Sequence, residues 1–244
     1  MSLESEIAAL SSKVTSLIDY FNGKKAGIDA SVSAAVAAIP LLERVWYVNQ
    51  QTGDDNAAGG VNTPLKSIDK AVANTPAGGM CLIRLQTDYE HSTAVVSTQR
   101  VVNITTDVSG VKRKLTLKYI TDGTNSYLSG IGLPSWGSLG LREITLVLPS
   151  PAGVVPTPGG SANCLIKIYS SSVVAMLGLK LDACEVQAPA DFIGYLMPGT
   201  ANGAVLQVTS TSMPSGFGGR YVTGVASGTA SNTMSNIVTN LATL

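Results

Sequence analysis

At 244 residues the chain is long enough for one sizeable core or two modest ones. Its 16 basic and 16 acidic residues balance, so no basic face speaks for nucleic acid and no nucleic-acid partner is expected. Charged residues make up only 13%, against roughly 25% in ordinary domains, and no apolar run reaches the ~20 residues of a membrane span.

Small residues fill the gap left by charge, and aromatics are only 5%. That composition suits repetitive β architecture, or an extended assembly that hides surface between subunits. The N-terminus lacks the basic-then-apolar order of a signal peptide, so synthesis in a reducing cytoplasm is expected. Cys81, Cys164 and Cys184 are odd in number and match neither CxxC nor a zinc spacing; they read as buried structural thiols.

The first element is a heptad seam. Leu3, Ile7, Leu10, Val14, Leu17 and Phe21 follow a 4-3-4-3-4 spacing, with Ile7, Val14 and Phe21 at a and Leu3, Leu10 and Leu17 at d. Glu4 and Glu6 fall where carboxylates complement the helix dipole. β-branched a residues with Leu at d favour two strands, whereas Ile18 and Tyr20 widen the face and favour three. Gly23, Lys24 and Gly27 interrupt the pattern. A second series, Ile28, Val32, Ala35 and Ile39, resumes out of register and stops at Pro40. The expectation is a coiled-coil stalk over residues 1–22, a joint, and an Ala-rich helical connector over 23–40.

A strand over residues 45–49 then feeds the loop TGDDNAAGG. Asp54, Asn56 and Gly59 occupy positions 1, 3 and 6 of a calcium loop, but Ala58 and Leu65 stand where positions 5 and 12 need ligands. The glycines are wrongly spaced for a phosphate loop, and no Lys-Ser/Thr pair follows. No metal and no cofactor are therefore expected. A short helix over 67–73, capped by Ser67 and apolar at Ile68, Ala71 and Val72, suits covering the open end of a stack of strands.

The order WYVN, TGDDNAAGG, TPLKSIDKAV and MCLIRL resembles the opening of the pectate-lyase-like right-handed parallel β-helices of bacteriophage tail spikes and tail fibres. The preceding GKKAGIDASVSAAVAAIP is similar to the Ala-rich connector of phage tail-fibre proteins. The resemblance covers residues 23–90. It implies a homotrimer located in the virion tail and assembled in the host cytoplasm. The implied partners are other tail or baseplate proteins and a bacterial surface glycan or outer-membrane receptor. The implied role is structural and host-recognition, with a glycan depolymerase (hydrolase or lyase) on the same scaffold as the alternative.

The remaining residues alone read as short strands at 80–85, 100–105, 114–120, 141–148, 164–169, 177–186, 204–209 and 221–225, separated by Gly, Pro, Asn and Ser. Leu177, Leu179, Leu181 and Ala183 alternate with Gly178, Lys180 and Asp182. With no long helices between strands, the expected fold is mostly β. The body over 41–230 reads as a short right-handed parallel β-helix, with a β-sandwich as alternative. Long loops at 122–140 and 149–163 hold Tyr127 and Trp136, the receptor-binding candidates. Residues 231–244 carry Met234, Ile237, Val238, Leu241 and Leu244 and read as a cap, a short helix or a closing strand.

Candidates for catalysis are few. Asp88 with Glu90, beside the only histidine, His91, and Asp182 with Glu185 are the carboxylate pairs that glycoside hydrolysis would use. Each pair also reads as an ordinary solvated strand edge. A Ser-His-Asp triad would have to use His91, and no G-x-S-x-G accompanies it. The sequence leans away from an enzyme.

Overall fold

A computed structural model of the protein describes residues 2–38, 42–97, 100–134, 136–168 and 174–244. The chain divides into two units, Met1–Leu41 and Leu42–Leu244.

The first unit is one helix, α1 (Leu3–Ala38), 36 residues long and so about 54 Å from end to end. The expected joint is absent, because the helix runs unbroken through Gly23 and Gly27. A Cβ at either glycine would meet nothing. Each costs helix stability by about 1 kcal/mol, which propagation through Ala- and Lys-rich neighbours absorbs. Ile39 and Pro40 lie outside the described residues. All six seam side chains are exposed, from 47% at Val14 to 73% at Leu3. Ile18, Tyr20, Ile28 and Val32 are exposed too.

The second unit is strand-rich. After β1 (Glu43–Val48) and α2 (Ile68–Asn74), successive circuits run β2 (Met80–Leu85), β3 (Tyr89–His91), β4 (Ala94–Val96), and β5 (Val101–Thr106), β6 (Arg113–Leu117), β7 (Tyr119–Thr121), β8 (Ser126–Leu128), β9 (Gly130–Gly132). There follow β10 (Trp136–Arg142), β11 (Ile144–Val147), β12 (Ile166–Lys167), then β13 (Met176–Asp182), β14 (Glu185–Gln187), β15 (Gly203–Thr209) and β16 (Ile237–Thr239). One seven-stranded sheet takes β1, β2, β5, β10, β13, β15 and β16 in chain order. A second takes β3, β6, β11 and β14, and a third β4, β9 and β12. Every pair in these sheets is parallel. The chain thus visits the sheets in rotation and lays each strand on its predecessor, which is not the antiparallel pairing of a sandwich. Among the described residues only β7 and β8 form an antiparallel strand pair.

Register explains the core. Cys81, Val102, Leu139, Leu179 and Leu206 stand in one inward row, and Ile83, Ile104, Leu141 and Leu181 in the next. Truncating any of these leucines to Ala would remove about 2–5 kcal/mol.

Several expected strands prove shorter or broken. The runs 141–148 and 177–186 each split at a residue in the left-handed region, Glu143 (φ 54°) and Ala183 (φ 52°), and Ser210 (φ 48°) follows β15 in the same way. These positions align, because Arg142 pairs with Asp182 and Asp182 with Thr209. Each bend carries a backbone cost of about 1–2 kcal/mol. The ladder continues across it through Glu143 N–H to Asp182 O at 3.0 Å and Ala183 N–H to Thr209 O at 3.0 Å. Residues 221–225 contribute only a bridge from Val222 to Met197. Tyr169, the end of another expected run, lies outside the described residues. The expected loop 122–140 contains β8, β9 and most of β10, so Tyr127 and Trp136 sit on strands; 149–163 lacks helix and strand, as expected for a loop. At the end, the helical spacing of Met234 to Leu244 gives no α-helix. A 3-10 turn at Ser231–Thr233 precedes β16, whose Ile237 stacks on Ala204. Thr and Asn are poor helix formers, and the core offers a ladder instead.

The loop after β1 is architecture. Tyr47 N–H donates to Gly59 O at 2.9 Å, Leu65 N–H to Tyr47 O at 2.9 Å and Asn49 N–H to Leu65 O at 2.8 Å, so the loop takes up backbone groups on β1's free edge. Gly59 has φ +74°, and a Cβ there would lie 2.3 Å from the Trp46 ring. Asp55 Oδ1 accepts from Lys66 N–H at 3.0 Å and Ser67 N–H at 2.9 Å, and Oδ2 from the Ser67 hydroxyl at 2.8 Å. Ser67 Oγ in turn caps Lys70 N–H at 3.1 Å, and the Tyr89 hydroxyl accepts from Ile68 N–H at 3.2 Å.

Two outcomes follow from this packing. Asp55→Ala removes three bonds at the start of α2 and lowers unfolding stability by about 1–3 kcal/mol in denaturant titration. Calcium leaves the thermal midpoint of the wild type unmoved, whereas a shift of several degrees would reveal a bound ion. A further outcome comes from His91. Its ring is 3% exposed and stacks on Leu117 in an inward row. Burial, the largest influence, pushes the imidazole below its ordinary range, aided by the Lys167 charge and opposed by Asp69 and the Gly130 carbonyl. The native state therefore binds fewer protons than the unfolded chain just below pH ~6.5, so stability falls as acid is added through that window. His91→Leu flattens the fall of the melting midpoint between about pH 7 and 5.

Candidate functional site

The outer face of the seven-stranded sheet carries a groove of about 510 Å³. Outward positions come from register: Asn103, Gly140, Lys180 and Gln207 form one row, and Arg84, Thr105, Arg142, Asp182 and Thr209 the next. Gly140 opens the trough, since a Cβ there would lie 2.0 Å from Asn103 Oδ1. A second depression of about 190 Å³ shares Asn103, Gly140 and Lys180, so the polar surface extends across several strands.

Three carboxylates reach the groove, and each has a partner. Asp107 Oδ1 accepts from Arg113 Nη2 at 2.9 Å and Nε at 3.2 Å. Glu143 accepts from Ser109 Oγ at 3.5 Å and Gly110 N–H at 3.4 Å. Asp182 lies 3.9 Å from Arg142 Nε. Arg84 donates to the Tyr47 hydroxyl at 3.1 Å and lies over its ring. Lys180 makes no ion pair among the described residues, and its exposed side chain lines the groove. This set suits holding a polar chain.

The four acids of the expected carboxylate pairs each meet a separate partner. Asp88 precedes β3, and its Oδ1 accepts the Lys114 N–H of the next circuit at 2.8 Å. Glu90 points outward and pairs with Lys118 at 2.9 Å. His91 points into the core, away from both, so no triad forms on it. Asp182 enters the groove, but Glu185 lies past the Ala183 bend and accepts from Gln187 Nε2 at 2.7 Å. Trp136 opens β10 at 46% exposure, opposite exposed Met176 at 53%. Tyr127 is half-buried and lines a different cleft, between the β7–β8 hairpin and the 149–163 loop. The structure therefore does not bring Tyr127 and Trp136 into one site. The three cysteines are buried and free, and burial raises each thiol, Cys81 to about 11.

One residue had no signal beyond its position in an apolar run. Lys167 is fully buried; its ammonium donates to the carbonyls of Leu128, Ala162 and Cys164 and stands 5.2 Å from the Tyr127 ring. Burial pushes it down to about 8. It ties β8 to the end of the 149–163 loop.

No protein-family model matches the chain, and no curated protein matches it. Among solved structures, the chain is similar to the GH136 lacto-N-biosidase from Eubacterium ramulus, native protein, at 15% identity and a TM-score of 0.38. The likeness covers 68% of this chain and 30% of that one, so the chain spans under a third of its neighbour's length. At that score the likeness carries no inference about this chain's activity.

Proposed function

We propose that the chain is a structural and host-recognition component of a bacteriophage tail, a fibre or spike. In this reading α1 zips three copies into a homotrimer, and the body is a right-handed parallel β-helix that binds the bacterial surface. The observation that carries it is the exposed seam of α1. Six large apolar side chains at heptad spacing along the helix stand exposed among the described residues. Burying each between helices is worth about 1.5–3 kcal/mol. The widened face at Ile18 and Tyr20 favours three chains over two. The rotating parallel sheets supply a rigid support, and the grooved outer face a surface for a polar polymer. Tail or baseplate proteins are the partners at the virion.

Light scattering on the full chain gives the mass of three copies at micromolar concentration, and Leu10→Asp with Leu17→Asp gives the mass of one. A monomeric wild type would sink the zipper.

A second reading, a depolymerase, has one observation in its favour: Asp107, Glu143 and Asp182 converge on one groove. Incubating the protein with host capsule or lipopolysaccharide separates the two. Attachment without new reducing ends is the expected outcome. Reducing ends that accumulate and vanish with Asp182→Asn would establish cleavage instead.

A further inference from the structure

The cleft between the β7–β8 hairpin and the 149–163 loop measures about 410 Å³, within the range of small-ligand sites. Its walls are fixed. Gly159 N–H donates to Ser126 O at 3.0 Å, and Leu128 N–H donates to Asn163 Oδ1 at 3.1 Å, so loop and hairpin are tied at both ends of β8. Along β8, Ser126 and Leu128 are buried, while Tyr127 alternates to the other side and stays half-exposed. The Lys167 ammonium holds that ring in place.

The wall chemistry is selective. Asp122 Oδ1 accepts from Thr124 N–H at 2.9 Å and Asn125 N–H at 2.7 Å, bonds that keep the carboxyl below its ordinary range and leave Oδ2 outside them. Thr157 and Ser161 bring hydroxyls from the loop. No cation lines the cleft, because the nearby Lys167 is fully buried on three carbonyls. An aromatic face beside a carboxylate, an amide and hydroxyls matches a ring with an apolar face and a rim of hydroxyls. The ionised Asp122 opposes an acidic ring.

We infer that this cleft binds one uncharged sugar ring, with Tyr127 as the platform and Asp122 as the hydroxyl acceptor. The inference rests on the attachment role proposed above and gives it a site apart from the sheet groove. Rigid walls limit the ordering cost of binding.

Saturation-transfer NMR on the full chain tests it, with glucose, galactose, N-acetylglucosamine and galacturonate as separate probes. Transfer to at least one neutral sugar and none to galacturonate is expected. Ser161→Trp, an exposed position, fills the cleft and abolishes transfer with the melting midpoint unchanged. Tyr127→Phe keeps the platform, and Tyr127→Ala weakens binding roughly threefold to tenfold. Silence from every neutral sugar, equal transfer to galacturonate, or transfer that survives Ser161→Trp would overturn the cleft. Cell attachment measured in parallel keeps the two readings distinct. Wild type and Ser161→Trp attaching equally removes the cleft but leaves the attachment role. Sugar binding without attachment removes the role but leaves the cleft.

Discussion

In the body, each strand must set its inward side chains directly on those of the circuit before it. Parallel pairing in register allows nothing else, because a slip of one residue would turn every aliphatic row outward. Ile83, Ile104, Leu141 and Leu181 satisfy this with side chains of nearly equal volume, repeated across circuits that differ in length. Outward rows keep like charges from stacking for the same reason, since neighbouring circuits lie only about 4.8 Å apart: Thr105 stands between Arg84 and Arg142, and Arg142 meets Asp182. A charged side chain repeated at that spacing would repel its copy. The low share of charge is thus a consequence of stacking. His91, which stacks on Leu117, shows what it costs to place a titratable ring in such a row.

Several acids serve the backbone. Asp55 takes two N–H groups and a hydroxyl at the start of α2, Asp88 takes Lys114 N–H, and Asp122 closes a turn on Thr124 and Asn125. At Asp88 and Glu90 the sequence spacing carried no sign of these partners. Two residues apart on a strand does place both outward, yet one is an acceptor for the next circuit and the other a surface ion pair, whose worth is small.

How much was legible depended on the range of the cause. The alternation of Leu177, Leu179 and Leu181 is local, and it gave β13 with its inward face; the Ser67 cap and the exposed helical seam are local as well. The bends at Glu143, Ala183 and Ser210 were invisible because none is glycine. Their left-handed backbone is imposed by the ladder on either side, and composition carries no trace of it. Gly23 and Gly27 misled in the opposite sense, since two propensity costs did not outweigh a long cooperative helix. The groove is a product of register. Lys180 was readable as outward, but its neighbours Gly140 and Gln207 lie 40 and 27 positions away along the chain.

Both units confront unsatisfied surface, and they resolve it differently. In the body, backbone groups on the free edge of β1 are met by the loop through Gly59 and Leu65. At the other end β16 is only three residues long, and the chain then folds back, with Leu244 buried and Thr243 bridged to Ala230. Short or covered edges of this kind suppress pairing with other chains. The helix does the reverse. Its backbone is satisfied internally, yet it holds a continuous apolar face in water, with no residue of its own unit folded over it. In the proposed trimer, association runs through one helical seam and not through strand edges, which restricts contacts to a defined, countable set of copies. The proposed attachment role needs that restriction, because avidity multiplies weak single-site binding only when geometry and copy number are fixed.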